Sequence, residues 1–234
     1  MKVLGLDSSG LVASVAVVEN DNLCAEYTVN FKKTHSQTLL PMLDVISEMI
    51  QLDLSTVDAI AVAAGPGSFT GLRIGSATAK GLGLALQKPL LAVPTLDALA
   101  YNVYNTKALV CPIMDARRNQ VYTGIYSYVD YKLQIERDTD ALDIHQLIGE
   151  INALGQEVIF LGDGVAVYKD VIIKEIKVPY TFAPAHCNKQ RASAVAALGL
   201  EYLEAGRVVS AADFQPDYLR KSQAEREREE KEKA

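Results

Sequence analysis

Three short apolar segments separated by polar turns open the chain, at residues 3–7, 14–18 and 24–29. The turns between them are rich in Ser, Gly, Asn and Asp, which favour tight reversals of the backbone. The segments are too close together for helical crossovers. The pattern therefore predicts an antiparallel meander of three strands.

An amphipathic helix is predicted next, over residues 34–51. Leu39, Leu43 and Ile46 fall on one face at helical spacing. Thr34 and Gln37 have the spacing of a capping box, with the threonine as N-cap. Pro41 lies inside the pattern and lacks an N–H, so a kink or a delayed helix start is expected there.

A buried strand at residues 59–64 then leads through a Gly-Pro-Gly turn into a helix over residues 68–86. The free N–H groups and the positive dipole end of such a helix are suited to an anion. Asp7 and Ser8, at the end of the first strand, could contribute to a phosphate site or form a local Asx turn. The predicted nucleotide or phosphate contacts are Asp7, Ser8, Gly65, Gly67, Ser68 and Arg73.

Small residues recur every four positions in this second helix, at Gly71, Gly75, Ala79 and Gly83. Each glycine in a helix interior costs about 1 kcal/mol relative to alanine. A strip of small side chains allows close approach of another element. Spacing alone leaves open whether that element is a partner protein or the chain's own sheet.

The second half repeats the rhythm of the first. Three strands are predicted at residues 108–115, 121–128 and 132–138, then a helix at 144–154, a strand at 158–161 and a helix at 191–205. The chain is thus predicted to be an α/β protein with a duplicated domain and a cleft between the halves. The predicted units are residues 1–106, residues 107–221, whose last helix could pack back on the first unit, and a charged tail at 222–234.

Composition narrows the function classes. The net charge of −6 argues against a protein that binds the phosphates of nucleic acid through a basic surface of its own. Three scattered cysteines and three unpaired histidines predict neither a disulfide framework nor a metal site. The first strand starts at once, and no apolar run approaches the length of a membrane span. A cytoplasmic protein without a membrane anchor is expected.

The run GPGSFTGLRIG at residues 65–75 resembles the universal tRNA threonylcarbamoyladenosine family. Further similarities are HSQTLLP at 35–41, PTLDALA at 94–100, the turn at 115–122 and PDYLR at 216–220. The resemblance implies two ribonuclease-H-like domains of the actin and sugar-kinase superfamily, with mixed five-stranded sheets and flanking helices. It is closest to the smaller, non-catalytic members, which lack the metal-binding histidine pair of the larger paralogue TsaD.

The resemblance also implies partners. Such a subunit is expected to bind TsaD, act with the ATPase TsaE, and meet tRNA only through the complex. No cofactor of its own is expected, although ATP or ADP could lie at the junction with TsaD. The alternatives are a self-contained ATP-dependent transferase and, with much less support, a metallopeptidase.

In this family the first two helices pack against those of TsaD, and the same surface would form a homodimer when TsaD is absent. Gly75→Leu is therefore expected to weaken TsaD binding and leave the monomer folded. The residues expected at this interface are Leu39, Leu43, Ile46, Phe69, Gly71, Leu72, Gly75, Thr78, Ala79 and Leu82.

Overall fold

The computed structural model describes residues 1–31 and 35–220. Within that part, the first half contains five strands and three α-helices. They are β1 (Lys2–Asp7), β2 (Val12–Glu19), β3 (Asn22–Asn30), α1 (Leu39–Met49), β4 (Ala59–Gly65), α2 (Phe69–Leu86), β5 (Leu90–Pro94) and α3 (Thr95–Tyr101).

The described second half has the same number of strands and three more helices. They are β6 (Leu109–Arg117), β7 (Gln120–Val129), β8 (Lys132–Asp143), α4 (Ile144–Leu154), β9 (Val158–Leu161), α5 (Gly164–Glu175), β10 (Tyr180–Phe182) and α6 (Ala192–Glu204).

The two sheets have equivalent topologies. The first has the order β3-β2-β1-β4-β5, and the second has the order β8-β7-β6-β9-β10. In each, the first three strands form an antiparallel meander, and the last two run parallel to the first strand of that meander. The predicted fold class, two α/β domains with mixed five-stranded sheets, is confirmed.

Helix α1 starts later than the capping pattern predicted. Residues 35–37 form a 3₁₀ turn, and the α-helix begins at Leu39 and ends at Met49. Pro41 is then the third residue of the helix, where a missing N–H loses no intrahelical bond. The delayed start is confirmed, but Gln37 does not occupy the predicted N3 position. Thr34 lies outside the described residues.

The predicted scheme contained no element at α5 or β10. The periodicity of α5 is weak, because Val167 and Ile173 are exposed while Tyr168 and Ile172 are buried. Strand β10 has only three residues and pairs with β9 at the sheet edge. Short segments of this kind give almost no periodic signal.

The first sheet is covered by apolar layers on both faces. Helices α1 and α2 cover one face, with Leu39, Leu43 and Ile46 packed against the strands. Helix α6 covers the other, although it follows the second sheet in sequence. A Cβ on Gly199 would lie 2.8 Å from the Ala61 Cβ, so α6 approaches the sheet closely.

Helix α3 joins the two halves. Its Leu96 and Leu99 are buried with Val110, Met114 and Tyr126 of the second sheet. The Tyr126 hydroxyl donates a hydrogen bond of 2.9 Å to Asp97. A cleft lined by residues of both halves lies next to this junction, since Met114 belongs to both.

Candidate functional site

The cleft between the sheets has a volume of about 630 Å³. Five segments surround it: the turn between β1 and β2, the first turn of α2, the turn between β6 and β7, Asp163 at the start of α5, and residues 217–220. These segments carry several of the motifs singled out in the sequence. The site's chemistry depends on which polar groups remain available to a ligand.

The Asp7 carboxylate is engaged by its own turn. Asp7 is 1% exposed, and its Oδ1 accepts hydrogen bonds from the Ser9 N–H at 2.8 Å and the Ser9 hydroxyl at 2.7 Å. Burial raises the pKa of Asp7 to about 6, and the Ser9 hydrogen bonds only partly oppose this. Of the two interpretations left open by the sequence, the Asx turn describes this arrangement.

The N-terminus of α2 is also occupied by the β1–β2 turn. The Ser9 carbonyl accepts the Ser68 N–H at 2.6 Å, and the Ser8 hydroxyl donates to the Gly71 carbonyl at 2.8 Å. The Ser68 hydroxyl caps the helix by accepting the Gly71 N–H. A Cβ on Gly67 or Gly71 would overlap the carbonyl oxygens of Ser9 and Ser8, respectively. The absence of a side chain at Gly67 and Gly71 therefore allows the β1–β2 turn to pack against the start of α2.

Gly65 is covered by main chain. The Asp217 N–H donates to the Ala64 carbonyl at 2.7 Å, and a Cβ on Gly65 would overlap the Asp217 carbonyl oxygen. Arg73 lies outside, with its guanidinium carbon 4.0 Å from the centre of the Phe69 ring. Of the predicted phosphate contacts, only Gly67 and Ser68 line the cleft. Asp7, Ser8 and Gly65 are instead in contact with other parts of the chain.

The second half contributes two carboxylates to the cleft. Asp115 accepts hydrogen bonds from the Arg117 N–H at 2.9 Å and from the Tyr168 hydroxyl at 3.2 Å. Burial raises the pKa of Asp163, and the nearby Asp115 adds to the shift. Tyr168 belongs to α5, which sequence periodicity missed. In the described ranges 1–31 and 35–220, no cluster of three or more Asp, Glu, His or Cys residues could hold a metal ion.

Most residues expected at the partner interface lie within the chain's own core. Leu39, Leu43, Ile46, Leu72, Gly71, Gly75 and Ala79 are buried, whereas Phe69, Thr78 and Leu82 are half-buried. A Cβ on Gly75 would lie 2.6 Å from the Ser8 hydroxyl oxygen. The expected behaviour of Gly75→Leu is therefore corrected: this variant would disrupt the monomer itself. The small-residue strip faces the chain's own sheet and turn.

Apolar residues are also exposed on the outward half of the same two helices. Leu40 and Met49 of α1 are 52% and 79% exposed, and Leu84 of α2 is 64% exposed. Val45, Ala77, Gly81 and Ala85 are exposed as well. A Cβ on Gly81 would have no atom within 4 Å. We call these seven residues the exposed α1–α2 face. Sequence spacing did not identify it, since both sides of each helix carry apolar residues.

Two equivalent mixed five-stranded sheets with a cleft between them form a duplicated α/β fold. A solved structure at TM-score 0.52 and 10% identity has this fold, component A of (R)-2-hydroxyglutaryl-CoA dehydratase from Acidaminococcus fermentans. It covers 88% of this chain and 99% of its own. No helix in the described residues is long and apolar enough to cross a membrane.

Sequence comparison gives a narrower assignment. Residues 23–228 match the family described as "TsaD: tRNA N6-adenosine threonylcarbamoyltransferase". The tRNA threonylcarbamoyladenosine biosynthesis protein TsaB of Bacillus subtilis is 34% identical, with 96% of each chain covered. The structure of YeaZ from Pseudomonas aeruginosa has a TM-score of 0.80 and 28% identity, covering 93% of this chain and 99% of its own. The chain therefore belongs to the TsaB (YeaZ) family.

Proposed function

We propose that this chain is a non-catalytic subunit in tRNA threonylcarbamoyladenosine biosynthesis. It binds and activates TsaD, together with TsaE, for transfer of threonylcarbamoyl from threonylcarbamoyl-AMP to N6 of the adenosine beside the anticodon. The observation that carries this proposal is the exposed α1–α2 face, combined with a cleft whose Asp7 and Gly65 are engaged internally. Because its net charge of −6 does not favour binding to tRNA phosphates, the chain contacts tRNA through the complex.

The exposed α1–α2 face has the chemistry of a protein-binding surface. Full burial of a Leu or Met side chain contributes roughly 1.5–3 kcal/mol, so Leu40, Met49 and Leu84 offer a substantial gain to a partner. Gly81 makes no tight internal contact, although an exposed helix glycine costs about 1 kcal/mol. Close approach of a partner helix accounts for retaining it. ATP or ADP, where the assembly uses it, belongs at the junction with TsaD.

A reconstitution tests the function. TsaD, TsaE, threonylcarbamoyl-adenylate synthase and unmodified tRNA are combined with and without this chain, and the modified nucleoside is measured by mass spectrometry. Product that depends on the chain supports the proposal, whereas equal product without it refutes the proposal. Turnover of ATP by the isolated chain would instead favour the alternative, a self-contained ATP-dependent transferase.

A matched pair of variants tests the surface. Leu84→Arg places a cation in the last turn of α2, and Ile173→Arg does the same in the last turn of α5, at a side chain 49% exposed. Both changes favour the helix dipole and alter the net charge equally. Leu84→Arg should weaken TsaD binding at least tenfold, about 1.4 kcal/mol, as measured by calorimetry. Ile173→Arg should bind like the wild type; equal affinity for both variants would exclude this face. The same pair, run on the free chain in sedimentation, tests the homodimer.

A further inference from the structure

The segment formed by residues 215–220, here called the C-terminal strap, crosses the cleft from one half to the other. It is anchored in the first half by Phe214, which is 2% exposed and belongs to the core beneath α1 and α2. The Lys80 ammonium group of α2 donates to the Phe214 carbonyl at 3.0 Å and to the Ala212 carbonyl at 3.1 Å. The start of the strap is therefore held against the first half at Phe214.

From this anchor the strap makes three successive contacts. Asp217 donates its N–H to Ala64 at the end of β4. The Tyr218 ring packs on Phe69, the first residue of α2, with ring centres 4.8 Å apart. Arg220 then reaches the second half, where its Nη1 donates to the Ala116 carbonyl of β6 at 3.0 Å. These contacts join the end of β4, the start of α2 and the end of β6.

The contacts of the strap are distinct from the apolar junction made by α3. That junction buries Leu96 and Leu99 with residues of the second sheet, whereas residues 217–220 line the cleft. Two domains with a limited interface can move relative to one another unless further contacts tie them. The strap supplies such a tie, and it lies over Gly65, where the sequence predicted a phosphate.

We propose that the C-terminal strap is a latch that holds the two halves of the cleft at a fixed separation. Tyr218 fixes the strap to α2, and Arg220 ties it to the second sheet. The cleft of this chain is thereby held in one state, unlike the cleft of an enzyme that opens and closes in each cycle. This inference does not depend on the identity of the partner.

Spin-label distances in the full chain test the latch. Glu48 on α1 and Asp170 on α5 are exposed positions, one in each half, and are changed to Cys for labelling. Cys24 and Cys187 are changed to Ser, whereas Cys111 is buried. The distance distribution is compared for the wild-type sequence, Tyr218→Ala, Arg220→Met and the double variant. Tyr131→Ala, at a tyrosine 68% exposed on the β7–β8 turn, is the control.

A single narrow distribution is expected for the wild type and for Tyr131→Ala, and a second, different distance is expected for the double variant. Hydrogen exchange of the Asp217 amide should accelerate about tenfold in Tyr218→Ala, since an aromatic contact and its buried area are lost. Superimposable distance distributions for the wild type and the double variant would overturn the proposal. Unchanged exchange at Asp217 would also count against it. Arg220→Met alone keeps the test valid if the double variant is poorly folded.

Discussion

Two glycines of α2 should respond to alanine in opposite directions. Gly81 is exposed, and a Cβ there would have no atom within 4 Å, so Gly81→Ala gains helix propensity without a clash. The expected gain is about 1 kcal/mol, or about 2–4 °C in Tm for a chain of this size. Gly149, exposed in α4 with equally open surroundings, provides a matched control and should gain a similar amount.

Gly71→Ala should destabilise the chain. Its new Cβ would overlap the Ser8 carbonyl oxygen, and Ser8 is buried at 3% exposure in a hydrogen-bonded turn. Overpacking of this kind costs typically 1–3 kcal/mol, and the gain in helix propensity of about 1 kcal/mol offsets part of it. The expected net loss is therefore up to about 2 kcal/mol.

Thermal unfolding followed by circular dichroism at 222 nm measures both changes. Stabilisation by Gly71→Ala equal to that of Gly81→Ala would refute the assignment of the strip to internal packing.

Two further predictions concern buried charge. Burial raises the pKa of Asp7 from 3.8 to about 6, so its contribution to stability is complete below pH 3.8 and is lost as pH rises through 6. Asp7→Asn should therefore raise the unfolding free energy at pH 8 by about 3 kcal/mol and have little effect at pH 4, measured by urea titration. Burial opposes ionisation of Glu26, but hydrogen bonds from Arg191 and Ser193 outweigh it and hold the pKa of Glu26 below 4.5. The stabilisation that ionised Glu26 provides is present above pH 4.5 and is lost as the pH falls further. Glu26→Gln should therefore lower the unfolding free energy by about 2 kcal/mol at pH 7 and by less at pH 3. A difference between wild type and variant that does not change with pH would contradict this.

Most of the repeated order of strands could be predicted from the sequence because each meander and each buried strand has its own local pattern. Strand β4 and the capped start of α2 were predicted within a residue, since a strand, a Gly-Pro-Gly turn and Ser68 mark them clearly. Helix α5 and strand β10 were not predicted. Their residues become buried only through contacts with β6 and β9, which local periodicity does not encode.

The candidate site shows a different limit of prediction from sequence. Spacing identified the small-residue strip of α2, but spacing describes only one side of a contact. The atoms facing Gly71 and Gly75 come from Ser8, 63 and 67 positions earlier in the chain. Likewise, the PDYLR motif was recognised without its location, and only the fold brings Tyr218 onto Phe69. Pairings across such sequence distances require the tertiary structure.

The same residue types at a helix N-terminus serve two purposes that sequence cannot separate. Glycines allow a phosphate to approach the backbone N–H groups, and they equally allow a neighbouring carbonyl to do so. In this chain the Ser9 carbonyl takes the Ser68 N–H, and the Ser8 carbonyl lies against Gly71. A phosphate would have to displace both contacts and the Asp217 main chain over Gly65. The turn and the C-terminal strap therefore account for these glycines as packing residues, and within the described part of α2 they leave Gly81 as the glycine that a partner best explains.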